Sequence, residues 1–65
     1  MPKVRIAAVN PNTFGGQGDR FVDCVGDIVG VSGQFVRVHL THDKMGNEMN
    51  DRYDHLFLPV ELSMF

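Results

Sequence analysis

Sixty-five residues, with six Lys and Arg against eight Asp and Glu and a single Cys, describe one small, slightly acidic domain over 1–65 that has no intramolecular disulfide. That balance argues against a nucleic-acid partner, because such proteins present a basic face to phosphates and the cations here are scattered along the chain. No signal peptide opens the chain and no window approaches the roughly 20 apolar residues that cross a bilayer, so the sequence predicts a cytoplasmic protein without membrane insertion.

Helix signals are scarce, since Gly and Pro interrupt every apolar stripe of 3.6-residue period. Strand signals recur. "KVRIAAV" places Val4, Ile6 and Ala8 on one face and Arg5 and Ala7 on the other. "NPNTFGGQGDR" then reads as a loop with glycine turns at Gly15, Gly16 and Gly18. "VDCVGDIVGV" is rich in β-branched residues, and Gly26 and Gly30 inside it mark bulges or a sharp bend. Ser32 to Gln34 forms a hairpin turn into "QFVRVHL", where Val36, Val38 and Leu40 share a face opposite Phe35, Arg37 and His39.

The polar run "THDKMGNEMNDR", Thr41 to Arg52, reads as a long loop. "YDHLFL" resumes a strand, with Leu56 and Leu58 expected inward, until Pro59 removes a ladder donor. "PVEL" suits one tight turn that tucks Val60 and Leu62 inward, and "SMF" a last short strand. Phe65 is then expected beside the first strand, where closure removes exposed sheet edges. The expected fold is all-β: a small SH3-like barrel of roughly four to five short antiparallel strands, with a single tight turn before the last.

These stretches resemble the small SH3-like barrels grouped around the photosystem I subunit IV family. The shared features are the "KVRI" opening, "VGDIVGV" from Val25 to Val31, "VRVHL" from Val36 to Leu40 and "FLPVEL" from Phe57 to Leu62. The resemblance implies a noncatalytic role in docking soluble electron carriers through basic side chains. His39 stands where that family carries a basic residue, a departure from the pattern. "TFGGQGDRF", Thr13 to Phe21, and "LPVELSM", Leu58 to Met64, are similar to the type II dihydrofolate reductases. Those enzymes build a tetramer pore from a Val-Gln-Ile-Tyr stretch. His55, Leu56, Phe57 and Leu58 occupy that place here without the glutamine or tyrosine, so the activity is not carried over. "GDRFVDCVG", Gly18 to Gly26, is similar to KOW-type modules that contact RNA or the transcription machinery.

Motif chemistry is thin. His39, His42 and His55 with Asp43 suggest a metal set, but zinc wants converging ligands, and on a regular strand His39 and His42 point to opposite faces. Cys24 lies in an apolar run and reads as a core hydrophobe. "DKMGNEMND" fails the EF-hand spacing, and "FGGQGD" lacks the Lys-Ser/Thr of a phosphate loop. No catalytic residue, metal or cofactor is therefore assigned.

What remains is surface. Phe14, Phe21, Phe35, Met45, Met49, Tyr53 and Phe57 exceed what a tiny core takes, and either form a recognition patch or fold back as a lid over one barrel mouth. In the patch reading Phe14, Met45, Met49, Tyr53 and Phe57 supply contact area, while Arg20, Arg37 and Arg52 set register. The predicted function is a noncatalytic protein-binding or accessory module, acting on a partner protein or on copies of itself. A compact chain of this kind fits an accessory subunit or a phage or mobile-element product. The competing expectations are a pore-type oligomeric reductase and a KOW-like RNA-contacting module.

Overall fold

A computed structural model describes residues 2–10, 16, 18–49 and 51–64, so the expectations placed on Phe14, Gly15 and Phe65 lie outside the described residues. The chain is all-β. Strands β1 (Lys3–Ile6), β2 (Val25–Ser32), β3 (Phe35–His42), β4 (His55–Phe57) and β5 (Leu62–Met64) form one antiparallel sheet in the order β4-β3-β2-β1-β5. The 3-10 turns Gly18–Phe21 and Pro59–Glu61 interrupt the connections. Among the described residues, no helix is long and apolar enough to cross a membrane.

Alternation builds the core. Val4 and Ile6 from β1, Val38 and Leu40 from β3, and Phe57 from β4 are fully buried, joined by Phe21 and Cys24. Val9, Ile28, Val36, Met49 and Leu62 pack around them. Each such apolar side chain contributes on the order of 1.5–3 kcal/mol when fully buried. The last strand pairs with the first, Leu62 opposite Ile6 and Met64 opposite Val4. The expected closure stops there: β4 and β5 are the two edges of the sheet, and the sheet is not closed.

Glycines bend it. Register shifts occur between Val25 and Gly26 and between Ile28 and Gly30, as the two glycines inside β2 foretell. Gly26 sits where backbone approaches backbone: a Cβ there would meet the His39 carbonyl oxygen at 2.5 Å and Val38 Cγ1 at 2.8 Å. Gly33 opens the β2–β3 turn at φ 61°, the glycine position of a two-residue II′ hairpin.

Four expectations are corrected. Strand β3 runs through Thr41 and His42, because the bulge at Thr41 lets the ladder continue, and the Thr41 hydroxyl donates to the Val25 carbonyl at 3.2 Å. That bulge also restores His42 to the outer face shared with His39, since both stand opposite outward residues of β2. In β4 the inner residue is Phe57, paired with Val36, whereas Leu56 points outward beside Arg37. Val60 does not tuck inward; it is 82% exposed, because the 3-10 turn directs it to solvent.

Glu61 fixes that turn. Pro59 occupies its first position, and Glu61 Oε1 accepts the Leu58 N–H at 2.7 Å, half of a capping box. Glu61 Oε2 accepts the Asn10 N–H at 2.8 Å, and its carbonyl accepts the N–H groups of Ala7 at 2.8 Å and Ala8 at 3.3 Å. The C-terminal turn is thus tied to the segment leaving β1.

The two β2 glycines should differ in their tolerance of a methyl group. Gly26→Ala forces backbone to move and is expected to cost about 1–3 kcal/mol. Gly30→Ala meets only Arg37 Nη1 at 3.8 Å and is expected to change stability by less than about 1 kcal/mol. Urea denaturation of both variants measures the contrast.

Candidate functional site

A groove of about 460 Å³ opens between the first 3-10 turn and the segment that leads into β4. Arg20 and Phe21 line it from the turn. Met49, Asp51, Arg52, Tyr53 and His55 line it from the other segment.

Local chemistry places each side. Asp23 takes φ 69°, a left-handed conformation that Asp tolerates better than most residues, and turns the chain from the 3-10 turn into β2. Its N–H donates to the Ile6 carbonyl at 2.7 Å, while the Cys24 N–H donates to the Phe21 carbonyl at 3.1 Å. These bonds hold Phe21 in the core with Arg20 beside it. On the other side Asp43 organises a tight turn: its Oδ1 accepts the Met45 N–H at 2.8 Å and the Asn47 N–H at 3.0 Å. Gly46 supplies φ 85°, and the Met49 N–H then reaches the Thr41 carbonyl at 2.9 Å. Met49 is brought back onto the core and Met45 is left at the tip, 77% exposed and outside the groove.

Aromatic contacts join the two sides. The Phe21 ring lies 4.8 Å from the His55 ring, and 6.1 Å from Phe57 in an edge-on arrangement. The Arg20 guanidinium sits 5.0 Å from the Phe21 centroid, within cation–π range. His55 Nε2 lies 3.3 Å from Asp51 Oδ2. Tyr53 stands 70% exposed at the rim.

Four of the residues singled out from sequence, Arg20, Met49, Arg52 and Tyr53, converge on this groove. Arg37 is on the outer face of β3 beside Leu56, Met45 is at the loop tip, and the buried Phe57 offers no contact surface. Phe21, Asp51 and His55 line the groove but were not among the contact residues expected from sequence. The available signal was the alternation in "HLF": with Phe57 inward, His55 faces the same side two residues earlier.

The histidines have separate partners. His39 Nδ1 lies 3.0 Å from Asp54 Oδ1, and His42 Nδ1 lies 3.0 Å from the Thr41 hydroxyl. Among the described residues, no group of three or more His, Cys, Asp or Glu is placed to hold a metal ion.

No protein-family profile, curated protein or solved structure matches this chain.

Cys24 borders the site from inside. Its Sγ donates to the Arg20 carbonyl at 3.6 Å, and burial first, then the Asp43 carboxylate, pushes its thiol pKa up. A thiol raised in the folded state favours folding below its unfolded pKa, and that contribution is lost as pH rises through the folded value. Native Cys24 is therefore expected to react with a disulfide reagent at least about a hundredfold more slowly than in urea-unfolded protein. The rate of chromogenic disulfide exchange, followed against urea concentration, checks this; equal native and unfolded rates would contradict it.

Proposed function

We propose that this chain is a noncatalytic, SH3-like protein-binding module whose contact site is the groove between residues 20–21 and 49–55. The observation that carries this reading is an exposed Tyr53 that shares one groove with the contacting rings of Phe21 and His55 and with two arginines. Tyr and Arg at the edge of an apolar pocket are the residue types that dominate binding energy at protein contacts. The volume falls within the range of roughly 300–1,000 Å³ typical of ligand sites and takes one or two side chains of a partner. The groove's described lining pairs His55 with Asp51 but sets no hydroxyl nucleophile or thiol beside them except the rim phenol of Tyr53, which favours contact over chemistry. The resemblance to noncatalytic small barrels points the same way.

Site-specific photocrosslinking in the source cells tests it. A benzophenone side chain replacing Tyr53 is expected to yield one discrete protein adduct, and the same group replacing the exposed Val31 of the β2–β3 hairpin none. No adduct from position 53, or the same adducts from both positions, would refute the assignment.

A further inference from the structure

The charges in the groove say which side chains a partner brings. Arg20 and Arg52 both line it, and neither forms an ion pair among the described residues. The carboxylate in the lining, Asp51, is turned to His55. Two arginines therefore line the groove with no ion-paired carboxylate among the described residues. Arg20 is also held in place: its carbonyl accepts from Cys24 Sγ, and its guanidinium rests on the Phe21 ring. An arginine stacked on an aromatic face keeps its edge N–H groups free for a carboxylate fork, and less freedom is lost when the fork forms. The same lining carries the apolar groups Phe21 and Met49, both packed in or on the core, and the 70% exposed Tyr53, with Asp51 and His55 beside them.

Resting on the binding reading above, we propose that the groove takes a peptide segment of another protein in which a Leu, Phe or Met is flanked by Asp or Glu. The apolar side chain fills the space over Phe21 and Met49, and carboxylates on either side meet Arg20 and Arg52. A nucleic-acid strand fits less well. Its regularly spaced phosphates need a continuous basic stripe, and the formal net charge of this chain is −2.

Fluorescence anisotropy with defined probes tests the assignment on the intact chain. The probes are a labelled peptide with Leu-Phe between Asp-Glu pairs, the same peptide with Lys for every acid, the same peptide with Ser for Leu and Phe, and an oligothymidylate of equal length. The acidic apolar peptide is expected to bind at least about tenfold more tightly than the other three. Arg20→Ala and Arg52→Ala are each expected to weaken it by about five- to tenfold, and Tyr53→Ala comparably, with Arg52→Ala and Tyr53→Ala melting like the parent and Arg20→Ala a few degrees lower for the lost contact with Phe21. Added salt should lower the affinity.

Equal or tighter binding of the Lys peptide or the oligothymidylate overturns the proposal, as does an Arg52→Ala variant that binds like the parent. The two layers separate cleanly. Binding that needs Tyr53 but ignores the sign of the flanking charge removes the acidic specificity and leaves the groove. If photocrosslinking at position 53 also captures nothing, the binding reading falls with it.

Discussion

Glu61 receives four N–H groups from two distant parts of the chain, and the rest of the molecule is arranged around that tie. Leu58 and Asn10 donate to its carboxylate, and Ala7 and Ala8 donate to its carbonyl. Those donors lie just past the end of β1 and just before the last 3-10 turn, where no ladder partner serves them. A charged acceptor is worth more here than a neutral one, since hydrogen bonds to ionised groups contribute about 1.5–3 kcal/mol. From the same point Leu62 pairs with Ile6, so the last strand is registered as it begins.

The tie reaches the groove through packing. Residues 7–10 leave β1 under Glu61, and Val9 within them lies against Gly18, where any Cβ would overlap its side chain. Gly18 starts the turn that presents Arg20 and Phe21. A small open sheet without a crosslink has few other means of fixing a wall, since a domain of this size buries little surface per residue. Bends contribute the remainder: Gly26 lets β3 approach, the register shifts curl the sheet, and one buried cluster from β1, β3 and β4 is flanked by Ile28 of β2 and Leu62 of β5. Among the described residues, no buried side-chain nitrogen or oxygen lacks a hydrogen-bond partner.

Much of the fold was legible because its signals are local. The alternation in "KVRI" and "FVRVH" names the inner faces of β1 and β3, Gly33 names the hairpin, and Pro59 names the turn before β5. Strand β4 was ambiguous because "HLFL" is apolar at three successive positions, so alternation alone does not set its phase. Phe57 won the inner face because it stands opposite Val36 and reaches Phe21. The bulge at Thr41 lies on β3 while the glycine that marks the shift, Gly26, lies on β2, which hid both the length of β3 and the shared face of His39 and His42. Glu61 looked like part of an ordinary turn, because its partner Asn10 is far away in sequence. The groove was half visible: residue type singled out Arg20, Met49, Arg52 and Tyr53. Only the Asp43 turn, a three-dimensional fact, separates Met49 from Met45.

Urea unfolding of Glu61→Ala beside Glu61→Gln tests the tie most directly. The alanine variant strands the Leu58 and Asn10 donors, so it is expected to lose about 2–3 kcal/mol. The glutamine, with one carbonyl oxygen to offer, should lose roughly half as much. A Glu61→Ala chain that unfolds within about 0.5 kcal/mol of the parent would show that the fold and its groove stand without this residue.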